Sequence, residues 1–363
     1  MLEIHCKGTP FEIGHQHGSQ GKQKVLGSIA FYTALLQKTC ALSWPDVRRK
    51  AAAYVPTLER LCPAYLEEMR GVASGAGVHE LDVLALNVRT EIMFGQWAED
   101  PALPVASDGC TAIACKGDGD GEYDDGGKGM MLLAQNWDWQ AEQADSLLVL
   151  RIEQAGKPRI AMVTEGGVIG KIGLNERGVG VCLNAIRAEG VDSAKMPIHL
   201  ALRAVLESDS AAQAAELVRS AGTAGSGHVL VADESEAAGL ECTYLGVRTL
   251  ALDADGMIVH TNHLLLEHPG VVEPAWWADS RPREKRFREL VLGAKGKGGG
   301  GGLNRASLAE LFRDEEGYPA SVNRCQADGC DSQTLFTIVM GGRRAEVTFG
   351  RPTDVYDRVT LAF

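Results

Sequence analysis

A layered α/β architecture with antiparallel sheets is what this chain predicts, and three observations predict it. The first hundred residues carry helical periodicity. From Cys110 onward the apolar residues fall into short runs separated by Gly-, Asp- or Asn-containing turns. Helical pattern then returns between groups of strands, too irregularly for a doubly wound parallel sheet, and no glycine fingerprint follows a first strand.

The elements follow in order. Thr9-Pro10-Phe11-Glu12 supplies a cap, a proline at the first helical position and an acid at the third. Leu26, Ile29, Ala30, Thr33, Leu36 and Gln37 continue with helical spacing. Ser43-Trp44-Pro45-Asp46 repeats the start signal before Val47, Ala51, Tyr54 and Val55. Leu58 to Met69 reads as a helix interrupted near Pro63, and Leu81 to Ile92 as another. Strands are expected at Met130 to Ala134, Leu147 to Ile152, Ile160 to Val163 and Val179 to Leu183. Helices follow at Ile198 to Leu206 and Ala211 to Val218, then strands at Val229 to Ala232, Val247 to Leu252 and Met257 to His260. Arg281 to Leu292 and Arg305 to Phe312 read as helices, the second with Ser307 and Glu310 in capping-box spacing. Leu335 to Met340, Ala345 to Phe349 and Val359 to Phe363 close the chain as strands. The run Gly293 to Gly302 reads as a flexible surface loop, with no Gly-Lys-Ser or Gly-Lys-Thr to make it a phosphate cradle.

At 363 residues the chain can bury a large core. A net charge of -12 disfavours nucleic acid as a partner and gives no attraction to an anionic membrane. No apolar run reaches membrane-spanning length, and the start lacks a secretory pattern. Nine cysteines, an odd number, point to a reducing compartment with mostly buried thiols, so a cytoplasmic location is expected.

Three polar clusters could carry chemistry. Asp108-Gly109-Cys110 opens an apolar run. Were the Gly109–Cys110 bond cut, Cys110 would hold a nucleophilic thiol and an α-amine whose reference pKa, about 7.7–8.0, suits a general base. A buried cysteine entering a strand fits the same residues. Gln135-Asn136-Trp137-Asp138 follows a strand, where Asp138 could hold a charged amine and Asn136 brace a turn; Asx hydrogen bonds would explain both equally. His260-Thr261-Asn262-His263 also ends a strand. Asn262 could donate to an oxyanion, or His260, His263 and His268 could bind a metal, although strand residues three apart face opposite ways. Cys325 and Cys330 lack the second pair of a metal knuckle. Asn184 ends a strand and could contact a bound acyl or amide group. Arg351 could grip a carboxylate, and Phe94, Tyr123, Trp137 and Trp139 could line an acyl pocket.

These residues resemble the acyl-coenzyme A:6-aminopenicillanic acid acyltransferase family, a self-cleaving group of N-terminal-nucleophile enzymes. The resemblance runs in one order from Ile4-His5-Cys6-Lys7-Gly8-Thr9-Pro10-Phe11-Glu12-Ile13-Gly14 and His17-Gly18-Ser19 through Asn87-Val88-Arg89-Thr90-Glu91. It continues through Asp108-Gly109-Cys110-Thr111, Gln135-Asn136-Trp137-Asp138, Thr164-Glu165, Gly170-Lys171-Ile172-Gly173, Thr261-Asn262-His263 and Gly350-Arg351-Pro352-Thr353. It implies an αββα N-terminal-nucleophile hydrolase fold, one structural domain cut into residues 1–109 and 110–363 that stay associated. It further implies Cys110 as nucleophile, Asp138 positioning it, Asn262 in the oxyanion hole, and Gln135, Asn136, Asn184 and Arg351 in support. Small acyl donors and an amine acceptor are the implied partners. Coenzyme A would enter as a thioester substrate, with no bound cofactor and no metal. More distant relatives acting on bile salts carry arginine where this chain has Gln135, which turns the expectation away from bile-salt substrates.

Overall fold

The computed structural model describes residues 1–99, 109–118, 129–274, 278–295 and 302–363. Asp108, Tyr123 and the core of the glycine-rich run, residues 296–301, lie outside them; the start of that run, Gly293 and Ala294, ends a helix instead.

Two sheets stack face to face between helical layers. The first is eight-stranded, in the order β1 (Glu3–Lys7), β4 (Leu147–Glu153), β5 (Ile160–Glu165), β6 (Ile172–Asn175), β7 (Gly180–Ala185), β8 (Gly227–Ala232), β9 (Ala237–Thr243) and β10 (Gly246–Leu250). The second is six-stranded: β11 (Met257–His260), β2 (Thr111–Lys116), β3 (Met131–Trp139), β12 (Gln333–Gly341), β13 (Arg344–Arg351) and β14 (Asp354–Ala362). All pairings are antiparallel except β1 on β4. This is the αββα arrangement.

Helices α1 (Pro10–Gln20), α2 (Lys22–Cys40), α3 (Trp44–Ala52), α4 (Val55–Leu61), α5 (Pro63–Ala76), α6 (Glu80–Asn87) and α7 (Arg89–Glu99) precede β2. With α8 (Ile198–Leu206) and α9 (Ala211–Ala221) they cover the eight-stranded sheet, whereas α10 (Ser280–Ala294) and α11 (Arg305–Leu311) cover the six-stranded one. Thr9 and Ser43 cap α1 and α3 as their sequences predict. For α11 the capping box is Asn304 with Ser307, not Ser307 with Glu310, because Asn304 already accepts from the Ser307 amide and starts the helix one turn earlier. Helices α1 and α5 cross with backbones in contact. A Cβ at Gly14 would lie 1.9 Å from the Glu68 carbonyl oxygen, and one at Gly71 would lie 2.2 Å from that of Phe11. No substituent fits there.

Strand alternation divides the core in two. On β2 and β3, Ala112, Ala114, Met131, Leu133 and Trp137 face the other sheet. Ile113, Cys115, Leu132 and Ala134 instead pack under α10 and α11 with Phe287, Val291, Leu308 and Phe312. Cys110 sits at the head of β2 and belongs to the inner set.

Strands β1, β6 and β9 had no counterpart in the sequence reading. Ala237-Ala238-Gly239 opens β9 without the β-branched residues that mark a strand, and only Ile4 and Cys6 of β1 are buried. Neighbouring strands make these segments, not their own composition.

Candidate active site

Strand β2 lies between β11 and β3, with Ala112 opposite both His260 and Gln135. That register gathers all three clusters around the chain just before Thr111. Cys110 is 1 % exposed, and its Sγ lies 3.9 Å from the carbonyl oxygen of Asp138.

The bond expected to break is held from the outer helical layer. Arg283, on α10, donates from one guanidinium nitrogen to the carbonyl oxygens of Gly109 at 2.5 Å and Cys110 at 3.0 Å, and to Thr111 Oγ1 at 3.1 Å. Its second terminal nitrogen donates to Asn262 Oδ1 at 2.9 Å, and its Nε to Asp279 Oδ2 at 2.8 Å. Asp279 also accepts from Arg324 Nη1 at 2.9 Å. Burial would raise the Asp279 carboxyl, but Arg283 and then Arg324 outweigh it and hold the group below the usual carboxylate range. A Cβ at Gly109 would lie 2.5 to 2.7 Å from Arg324 side-chain atoms, so any larger residue would displace Arg324 from its place beside Asp279.

The other expected residues divide by face. Asn262 donates its backbone N–H to Ser280 Oγ at 2.8 Å, and its side-chain amide donates to the Ala185 carbonyl at 3.0 Å. Asp138 accepts from Thr334 Oγ1 at 2.7 Å, and its charge is felt by Arg324. Gln135 stitches the two sheets, donating to the Leu183 carbonyl at 2.5 Å and accepting from the Leu183 amide at 3.1 Å. Asn184 crosses the same gap, accepting from His228 Nδ1 at 3.0 Å and donating to the His260 carbonyl at 3.4 Å. Asn136 points outward, donating to the carbonyls of Phe312 and Val322 and accepting from Thr337. Arg351 stands one step removed. It donates to the Arg324 carbonyl at 3.0 Å and to Glu315 at 2.6 Å, bracing the segment that carries Arg324.

The histidines of the metal reading are engaged otherwise. His260 and His268 each bond one oxygen of the buried Glu241 at 3.0 Å, while His260 Nδ1 donates to the Thr261 carbonyl. His263 turns to Ser280 Oγ at 2.8 Å. Among the described residues no three His, Cys, Asp or Glu side chains converge to hold a metal, and all nine cysteines are free thiols.

Inside, Cys110 opens on a cavity of about 50 Å³, room for only a few waters, since one needs about 10–15 Å³. Met93, Phe94, Trp137, Trp139, Leu183 and Ile198 form its apolar wall. Arg89, Lys171, His199 and Ser226 supply a polar one. Behind it Glu165, fully buried, pairs with both Arg89 and Lys171 and accepts from Tyr32 at 2.5 Å and Gln143 at 2.8 Å. Burial opposes ionisation of Glu165, but its two cations prevail and hold it well below its ordinary value. Burial likewise pushes Lys171 down to about 8, against the pull of Glu165.

Arg283, Arg324 and Asp279 escaped the sequence reading. Arg283 sits in Ser280-Arg281-Pro282-Arg283-Glu284-Lys285-Arg286, where five polar neighbours make it look like one more solvated charge. Its only distinguishing mark is the helical spacing that puts it on the face of buried Phe287.

Two stacked sheets with a cysteine at the head of an inner strand, its preceding carbonyl gripped by a cation, are the features expected of a cysteine N-terminal-nucleophile enzyme. The family model described as acyl-coenzyme A:6-aminopenicillanic acid acyl-transferase matches residues 125–354. The 40 kDa form of acyl-coenzyme A:6-aminopenicillanic-acid-acyltransferase of Emericella nidulans is 35 % identical over 368 aligned positions, covering 100 % of this chain and 96 % of that protein. The chain therefore belongs to the acyl-coenzyme A:6-aminopenicillanic acid acyltransferase family, and is a cysteine acyltransferase or amidohydrolase that processes itself. Penicillin V acylase from Agrobacterium tumefaciens superposes with a TM-score of 0.43 at 13 % identity, covering 70 % of this chain and 86 % of that one.

Proposed function

We propose that the chain cuts itself between Gly109 and Cys110 and then transfers acyl groups through a Cys110 thioester. The observation that carries this is the 2.5 Å hydrogen bond from Arg283 to the Gly109 carbonyl oxygen, with the Cys110 thiol on the other side of the same bond. In the first stage Sγ adds to the Gly109 carbonyl carbon, and charge moves onto an oxygen that already faces a guanidinium. A fixed donor of this kind is worth about 3–4 kcal/mol to an oxyanion. Collapse breaks the bond to the Cys110 nitrogen, which takes up a proton, and leaves a Gly109 thioester. Water hydrolyses it to the Gly109 carboxylate and the free thiol. One water is consumed and one peptide bond is lost.

In the second stage the freed α-amine accepts the thiol proton. The thiolate attacks an acyl donor, either an amide or a thioester such as that of coenzyme A, which acts as substrate. Asn262, released from Arg283 as the cluster relaxes, donates to the new oxyanion, while Asp138 orients the new amino terminus. Attack by a small amine on the acyl-enzyme completes transfer; attack by water completes hydrolysis. The name of the Emericella nidulans relative, an acyltransferase, supports transfer. Residues 1–109 and 110–363 share one hydrophobic core, which supports their staying together after the cut.

Intact mass and N-terminal sequencing test this. Wild-type protein should give a fragment beginning at Cys110, and Cys110→Ala only the full-length chain without turnover. An active wild-type enzyme that remains one uncut chain would overturn it. A panel of N-acyl amines and acyl thioesters, run with and without an amine acceptor, separates transfer from hydrolysis by its products.

A further inference from the structure

Self-cleavage poses a chemical problem that turnover does not. Until the bond is cut, the nitrogen of Cys110 is an amide and cannot take the thiol proton. The thiol also sits in a buried site, and burial disfavours its ionised form. The sulfur must be activated by some other group, and the cavity wall offers few.

His199 is occupied on both sides. Its Nδ1 faces the Gly170 carbonyl and its Nε2 faces Thr90 Oγ1, at 3.3 Å each, and burial keeps the ring neutral. The Tyr32 hydroxyl is committed to Glu165, and burial holds that phenol far above its usual range. Arg89 is fixed to Glu165 and to the Leu86 carbonyl at 2.8 Å. Lys171 remains. It lines the cavity with Cys110, is 1 % exposed, and rests its ammonium 3.9 Å from the centre of the Trp137 ring. Trp137 is joined in sequence to Asp138, whose carbonyl neighbours the Cys110 sulfur.

Charge counting points the same way. Glu165 provides one negative charge for two cations, Arg89 and Lys171. Glu91, next along α7, is pushed up to about 7 by burial, so at pH 7 it is only about half ionised and cancels only part of the second cation. The wall of the cavity therefore carries uncancelled positive charge, and the group on that wall that can become an anion is Cys110. Resting on the self-cleavage reading above, we infer that Lys171 is a positioning residue for the nucleophile, its buried ammonium stabilising the Cys110 thiolate before the α-amine exists. The thiol proton passes to water. As the sulfur bonds to the Gly109 carbon, the negative charge moves from the side of Lys171 to the side of Arg283. Collapse of that adduct breaks the carbon–nitrogen bond, and water returns a proton to the leaving nitrogen. Once the amine is free, the same ammonium lies near it and favours its neutral, basic form.

The test follows cleavage of the full chain by intact mass from pH 6.5 to 9.5, in wild type, Lys171→Met and Lys171→Gln. Iodoacetamide labelling of Cys110, mapped by peptide mass spectrometry, gives the pH midpoint of thiolate formation. Without the ammonium, cleavage at pH 7 should slow at least tenfold, the deficit should shrink toward pH 9.5, and the labelling midpoint should rise by about one unit or more, tenfold per unit. An unchanged midpoint, or an equal loss of cleavage at every pH, would overturn the inference and leave Lys171 a structural brace. Should the methionine variant not fold, the glutamine variant, whose amide still reaches Glu165, decides by the same criteria. Cys110→Ala separates the two proposals: an uncut wild-type chain sinks the self-cleavage reading, whereas normal wild-type cleavage with an indifferent Lys171 sinks only this one.

Discussion

Two charged clusters flank Cys110, and they are built alike. On the outer side Asp279 serves two cations, Arg283 and Arg324. On the inner side Glu165 serves Arg89 and Lys171. They differ in what they touch and how well they are sealed. The outer cluster bonds directly to the carbonyl of the bond to be broken, and its carboxylate is 23 % exposed. The inner one faces the cavity on the sulfur side with Arg89 and Lys171, and its carboxylate, behind that wall, is 0 % exposed. A wet cluster can rearrange after a single cut. A dry one keeps its charge pattern through every later turnover. The difference assigns the outer cluster to the carbonyl oxygen and the inner one to the sulfur.

The largest effect should come from breaking the outer contact. Arg283→Met removes the donor at the Gly109 carbonyl and should slow cleavage about 10²–10³-fold, read as the fraction of full-length chain over time. Asn262→Ala should do the reverse: cleavage stays within about fivefold of wild type while turnover of a cleaved sample falls about 10²–10³-fold. The basis is that the Asn262 amide donates to Ala185 and its oxygen faces Arg283, so Gly109 does not depend on it. Equal loss of cleavage in both variants would merge the two roles.

Stability sharpens the comparison next. Glu165→Gln leaves Arg89 and Lys171 buried without their counter-ion, which should cost about 3–5 kcal/mol in urea unfolding. Asp279→Asn should cost less, about 1–2 kcal/mol, because water reaches that side chain. The order matters more than either figure. If Asp279→Asn proved the more damaging, the outer cluster would be the structural one.

The sequence made the inner-strand half of this site legible and hid the charged half, for a physical reason. Cys110, Gln135, Asn184 and Asn262 stand at the ends of apolar runs, where a polar residue is conspicuous, and each lies near or across the seam between the sheets. Asn136 was visible by the same signal but braces the outer helices, since alternation turns it away from Gln135 and Trp137. Lys171, Glu165 and Arg89 entered only as members of resembling blocks. A buried ion pair made between segments 76 residues apart has no local pattern to betray it. The layered architecture was readable because helical and strand periods differ. The parallel strand β1 was not, because its partner is more than a hundred residues away.

Glu91 offers the smallest and most discriminating probe, because it borders the inner cluster without joining it. Its Oε1 accepts from the Ile198 amide at 2.6 Å, at the start of α8, and its Oε2 has no hydrogen-bond partner among the described residues. Burial pushes its carboxyl up from 4.5 to about 7, with the Ile198 amide and Arg89 pulling the other way. Between these two pH values the unfolded chain has lost this proton and the folded chain has kept it, so Glu91 makes the fold less stable as pH rises through that window. Glu91→Gln keeps an oxygen for Ile198 and carries no charge. Its advantage over wild type should open between pH 4.5 and 7 and then level off, at no more than about 3 kcal/mol. Paired urea titrations across that range measure the gap directly. A constant gap would mean that Glu91 stays ionised throughout, in which case it would balance the inner cations and the uncancelled charge beside Cys110 would disappear.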